Sequence, residues 1–271
     1  MSKLIVNNII YNYQSNVIDP AKSTYVFLHG FLGSKIDFHK LIEDFPEQFL
    51  VLDLLGFGAN RFQNVPPERF LQNNQVSDLE SIFTKLNLKN ISLVGYSMGG
   101  RLALAYALKF PRRTNELILE STTAGIDGDD QRKLRREHDE KLAASLEQNG
   151  IEKFIENWEN LPLFATQKEV NPSSFEFMHN QRITQNPINV ANSLRNMGTG
   201  KQPNYWHELS TLRIPKVKII VGSEDEKFLK IGHRLQTLIS NSSEIIVKNA
   251  GHNIHFEHPN SFKKAIFDDS K

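Results

Sequence analysis

Six short apolar runs punctuate this chain of 271 residues: YVFLHG (25–30), FLVLDL (49–54), ISLVG (91–95), ELILES (116–121), KIIVGS (218–223) and EIIVKN (244–249). Runs that are apolar at consecutive positions fit strands covered on both faces. Stretches with helical spacing lie between them at Val76–Leu86, Gly99–Lys109 and His233–Ile239. That alternation restricts the fold to the α/β class, a mostly parallel sheet flanked by helices. Asn7–Gln14 is expected to add an antiparallel strand near the start. Between Gly125 and Trp206 the strand signal vanishes, and charged amphipathic segments are separated by Pro162, Pro172, Pro187 and Pro203. So long a stretch is too much for a plain loop. Residues 125–206 are therefore expected to form a helical cap over a core built from 1–124 and 207–271.

Directly behind ISLV stands GYSMG, a G-x-S-x-G pattern that places Ser97 on a tight strand-to-helix turn with its hydroxyl above the sheet edge. At Gly95 or Gly99 a side chain would collide with the neighbouring strand or helix. The plainer alternative is a serine capping an ordinary helix. A reactive hydroxyl needs a base, and the base needs an orienting acid. Asp225 follows the run KIIVGS, His252 follows EIIV, and the order Ser97, Asp225, His252 is the one used by α/β-hydrolases. Glu224 and Glu226 flank the aspartate as rivals. His255 and His258 rival His252, but they lead into a last helix opened by Pro259 and are expected to pack or face solvent. At the end of YVFL, the backbone N–H of Phe31 can converge with that of Met98 as an oxyanion hole, with His29 holding the loop.

The chain has no cysteine, which excludes disulfides, thiolate zinc sites and cysteine nucleophiles. Thirty-two basic against 31 acidic side chains leave a net charge of +1, so no footprint for nucleic acid or an anionic membrane is present. No run approaches the roughly 20 apolar residues of a membrane span. The N-terminal MSKLIVNNIIYNYQ lacks the pattern of a signal peptide, and a cytoplasmic location is expected. The expected partner is a small anionic molecule, with the choice between monomer and homodimer open. Arg101 supplies the anion preference: it lies four residues after Ser97, one turn along the same helix face, where a guanidinium can hold a carboxylate bidentately. Its alternative is a surface arginine paired with a nearby acid.

With FLHGF, GYSMGGR and AGHNIH in place, the chain resembles the α/β-hydrolase superfamily along its whole length. Within it, the motifs GYSMGGR, RREHD, NW at 157–158, NQR before GTGKQP, GSEDEKF and GHNIH resemble one family. These are the 2-succinyl-6-hydroxy-2,4-cyclohexadiene-1-carboxylate synthases of menaquinone biosynthesis. The resemblance implies a lyase that eliminates pyruvate from 2-succinyl-5-enolpyruvyl-6-hydroxy-3-cyclohexene-1-carboxylate by triad-mediated proton abstraction. It implies no metal and no organic cofactor. It maps further carboxylate contacts onto Arg135 and Arg182, with Tyr96 and Trp158 shaping the pocket. Among Arg132, Arg135 and Arg136, the family pattern selects Arg135, four residues before Asp139.

Without the resemblance, RKLRREHDEK reads as a solvated helix face with i,i+4 pairs Lys133–Glu137, Arg135–Asp139 and Arg136–Glu140. Their basic-before-acidic order is the weaker one. Trp158 can equally be a packing residue of the cap. DLLGFGAN lacks the Pro and His of the usual D-L-P-G-H-G while Gly56 and Gly58 remain, so no substrate contact carries over from that loop. A serine hydrolase of an anionic ester, thioester or carbon–carbon bond is the enzymatic alternative. A binding protein with a decayed site is the other, and the filled triad speaks against it.

Overall fold

Each of the six apolar runs becomes a strand of one sheet in a computed structural model of the chain, which describes residues 2–17, 19–170 and 172–268. The strands are β1 (Ser2–Val6), β2 (Ile9–Ser15), β3 (Ser23–Leu28), β4 (Phe49–Leu52), β5 (Asn90–Tyr96), β6 (Thr114–Glu120), β7 (Lys216–Gly222) and β8 (Ser242–Val247). Their order is β1-β2-β4-β3-β5-β6-β7-β8. β2 pairs antiparallel with β1 and β4, and the other neighbours are parallel.

Successive side chains of a strand point to opposite faces, and both faces here are apolar. Val26, Leu28, Leu50, Leu93, Leu117 and Ile219 join one buried cluster. Phe27, Val51, Val94, Ile118 and Ile220 join a second. This is the physical reason the runs read as continuously apolar.

Ten α-helices flank the sheet among the described residues: α1 (His39–Ile42), α2 (Gln72–Lys85), α3 (Met98–Lys109), α4 (Asp129–Glu159), α5 (Ala165–Val170), α6 (Pro172–Arg182), α7 (Pro187–Met197), α8 (Glu226–Leu238), α9 (Ile254–Glu257) and α10 (Pro259–Phe267). None is long and apolar enough to cross a membrane.

Two elements differ from expectation. The start of the chain is a hairpin, with Val6 opposite Ile9, instead of one strand over Asn7–Gln14. Asn7 and Asn8 take φ of 50° and 62°, the paired left-handed conformation of a tight hairpin turn, which asparagine tolerates. Helix α8 begins well before His233, because Asp225 caps it by accepting a hydrogen bond from Phe228 N.

The chain leaving β4 passes over β3 to reach β5, and crevices in open α/β sheets form beside such reversals, at the carboxyl ends of the strands. Between β6 and β7 the chain leaves the sheet as α4 to α7. Helix α4 changes direction at Gly150, whose φ of 82° lies outside the helical region. Its apolar side chains Ala143, Leu146, Phe154 and Ile155 share the first buried cluster with Val190, Leu194 and Met197 of α7.

Candidate active site

Ser97 sits between β5 and α3 with φ 48° and ψ −105°, a strained conformation for a residue with a side chain. The glycines around it make that turn possible. A Cβ on Gly99 would strike the carbonyl oxygens of Leu28 and His29, and one on Gly95 would strike the backbone of Gly99 and Gly100. Helix α3 therefore starts pressed against the ends of β3 and β5. Ser97 N donates to Glu120 O at 2.9 Å, which ties the turn to the end of β6.

His252 Nε2 lies 3.2 Å from Ser97 Oγ, and His252 Nδ1 lies 2.7 Å from Asp225 Oδ2. Because a carboxylate only accepts, Nδ1 carries the proton and Nε2 is free to accept from the serine hydroxyl. Asp225 and His252 are buried. The other aspartate oxygen accepts from Phe228 N at 3.1 Å, so the first turn of α8 holds the carboxylate in place.

The rivals Glu224, His255 and His258 are engaged elsewhere. Glu224 accepts from the Ser223 hydroxyl at an exposed position. His255 is buried, stacks on Phe38 with ring centroids 4.3 Å apart, and pairs its Nδ1 with Glu120 Oε2 at 2.7 Å. His258 Nε2 bonds Asn249 O.

Two carboxylates hold the loop that carries the histidine. Glu120 accepts from His255 N at 2.9 Å. Glu257 accepts from Gly251 N at 2.6 Å and from Asn253 N at 3.2 Å, bracketing His252 on both sides. Burial holds the Glu257 carboxyl above the usual carboxylate range despite those two amides. Protonation turns one of its oxygens into a donor and frees an amide, so activity should fall on the acid side before ordinary carboxylates titrate. The sign for stability is opposite. A raised folded-state pKa favours the fold below the unfolded value, and that contribution is lost as pH rises through the folded value. Glu257→Gln, which leaves one amide unpaired at every pH, should lower kcat about tenfold and remove this acid limb from the kcat profile.

The serine opens into a cleft of about 230 Å³ lined by Phe31, Met98, Arg101, Arg135, Trp158 and Lys227, among others. Phe31 and Met98 thus face the same space as Ser97. Met98 opens α3, where backbone amides have no helical acceptor. His29 donates Nδ1–H to Gly30 O and accepts from Leu54 N at Nε2, which holds the β3 loop.

Arg101 is buried and donates Nη1 to Met197 O at 2.6 Å. Burial, with Arg135 beside it, lowers its pKa to about 10, so it stays charged at neutral pH. Arg135 Nε pairs with the buried Asp139 at 2.8 Å while its own side chain is 36% exposed. Arg132 and Arg136 turn instead to the backbone oxygens of Gln202 and Gly200. Trp158 packs on Phe31, Phe154 and Phe164 and also borders the cleft.

Two expected contacts are placed otherwise. Arg182 lies outside the cleft lining: it donates to Glu159 at 2.9 Å and to Gln167 at 3.3 Å, behind the ring of Phe164. A buried guanidinium requires such a partner, and the end of α4 supplies it. Tyr96 is also behind the wall, its ring against Gly30 and between His252 and His255. Lys227 is the lining cation that the sequence reading passed over. Its signal is a lysine two residues past Asp225, in the first turn of a helix.

A serine elbow and a buried His–Asp pair at three strand ends decide the relationship together with the family comparison, in which the alpha/beta hydrolase fold model matches residues 26–259. The chain belongs to the alpha/beta hydrolase fold family. Within that family it is 39% identical to a Bacillus subtilis (strain 168) protein provisionally named 2-succinyl-6-hydroxy-2,4-cyclohexadiene-1-carboxylate synthase, over 91% of this chain and 89% of the relative. An Enterobacter sp. (strain 638) synthase of the same name is 28% identical over 93% of each chain. Among solved structures, MenH from S. aureus superposes with a TM-score of 0.87 at 37% identity, covering 94% of this chain and 96% of that one.

Proposed function

We propose that this alpha/beta hydrolase fold protein is a 2-succinyl-6-hydroxy-2,4-cyclohexadiene-1-carboxylate synthase, a lyase of menaquinone biosynthesis. The observation that carries the reading is a reactive serine sharing one cleft with Arg101 and Arg135, a cationic surround that a neutral ester would not use. The named relatives support the same reading.

The substrate, 2-succinyl-5-enolpyruvyl-6-hydroxy-3-cyclohexene-1-carboxylate, has its ring double bond at C3–C4, and the product has double bonds at C2 and C4. The lost proton therefore comes from C2, next to the succinyl ketone, and the leaving oxygen from C5. Ser97 takes the C2 proton as its own proton passes to His252 Nε2. Asp225 stabilises the imidazolium that results. Charge developing on the ketone oxygen is met by the amides of Phe31 and Met98. The ring double bonds shift, the C5–O bond breaks, and the enolate takes the proton held by His252 to leave as pyruvate. Residues 125–206 act as the cap that closes this cleft over the core of 1–124 and 207–271.

The test is stoichiometric release of pyruvate and diene from the precursor. Ser97-dependent cleavage of small esters or thioesters without pyruvate would move the protein to the hydrolase class. Arg101→Ala should raise KM about 10- to 100-fold, the usual consequence of removing a charge-assisted contact. An unchanged KM in a folded variant would remove Arg101 from the binding site.

A further inference from the structure

Among the cations that line the cleft, Lys227 alone has no hydrogen-bond or ion-pair partner among the described residues. Arg101 is held by Met197 O and Arg135 by Asp139. Lys227 is exposed at the solvent side of the cleft, its Nζ 5.4 Å from the centroid of the Phe228 ring.

Several nearby features disfavour a positive charge there, and only the Phe228 ring and Asp225 oppose them. The residue lies in the first turn of the 13-residue helix α8, whose amide ends already present partial positive charge. Partial desolvation of its ammonium lowers its pKa, and Arg135, which lines the same cleft, pushes the same way. Of the compensating groups, the Phe228 ring offers only a cation–π contact at 5.4 Å, and Asp225 is committed to His252 and Phe228 N. A lysine whose charge the fold rewards so little is explained by an anion that arrives later.

We propose that Lys227 is a substrate-binding residue that takes one carboxylate of the substrate opposite Arg135 and selects trianions over dianions. The proposal rests on the synthase reading for the identity of the trianion, since that precursor carries ring, succinyl and enolpyruvyl carboxylates. Arg135 comes from α4 and Lys227 from α8, so the bound carboxylate joins the helical segment to the sheet domain and cancels their mutual repulsion.

The experiment separates the two claims. Benzene-1,3,5-tricarboxylate and benzene-1,3-dicarboxylate are titrated calorimetrically into the wild type, Lys227→Ala and Lys227→Arg, and the same proteins are assayed with the precursor. Lys227→Ala should weaken the tricarboxylate about tenfold and the dicarboxylate less than about twofold. It should raise KM for the precursor about tenfold, and Lys227→Arg should recover most of both losses. Added salt should shrink the difference. Equal weakening of both probes, no weakening of the tricarboxylate, or no wild-type binding of it would overturn the role of Lys227. A selective loss of tricarboxylate binding in a protein that releases no pyruvate would sink the synthase reading and leave Lys227 as an anion-selecting residue.

Discussion

Ser97→Ala is expected to lower kcat for pyruvate release about 1,000- to 10,000-fold while KM changes little. The hydroxyl is 3.2 Å from His252 Nε2, and the neighbouring His255 faces Glu120 and Phe38. On the proposed mechanism, removing it takes away the proton acceptor and leaves Arg101 and Arg135 in place. His252→Ala should cost a similar factor, and the double variant little more than either single one, because groups that act as a unit lose their function together. Single-turnover kinetics and intact-protein mass spectrometry check the role itself. A base leaves no adduct on Ser97 during turnover, whereas a nucleophile accumulates an acyl-enzyme when deacylation is slow. A kcat within tenfold of wild type in Ser97→Ala would remove the serine from the chemistry altogether.

How far the site could be read from the sequence followed the range of the interactions involved. Ser97, Asp225 and His252 each stand directly after an apolar run, and a parallel sheet delivers the carboxyl ends of its strands to one edge, so their meeting required only the strand assignments. The glycine at 99 carried information for the same reason, because it marks where helix and strand backbones touch. Arg182 and Tyr96 illustrate the opposite case. Whether Arg182 points into the cleft depends on Glu159, which lies in the part of α4 beyond the bend at Gly150. No local pattern announces that bend, since glycine inside a charged helical stretch usually costs only helix propensity. Tyr96 belongs to the elbow motif, yet the absence of a side chain at Gly30 gives its ring a place behind the cleft wall. The first hairpin escaped for a third reason. Its turn residues are asparagines, which also occur within polar strand edges, and only their positive φ separates β1 from β2.

Asp53→Ala should be the most damaging substitution remote from the chemistry, destabilising the fold by about 3–5 kcal/mol and lowering Tm by roughly 10 °C. Asp53 heads the segment DLLGFGAN and forms a buried ion pair with Lys35. Lys35 Nζ lies 2.5 Å from Asp53 Oδ2, with side-chain exposures of 3% and 0%. The same carboxylate accepts from Lys35 N at 2.8 Å and from Ala59 N at 3.1 Å, so it joins the loop after β3 to the loop after β4. A truncated Asp53 leaves an ammonium and two amides buried without acceptors. The opposite change, Lys35→Met, leaves the carboxylate with both amide donors and should cost distinctly less. Lys35→Met with Asp53→Asn removes both charges and keeps one acceptor, and it should recover most of the loss in Asp53→Ala, because a buried ion pair is costly to break and cheap to replace. Thermal unfolding of the four proteins reads this order directly. Equal losses in Asp53→Ala and Lys35→Met would show that the shared Coulomb attraction, and not the stranded ammonium, sets the cost.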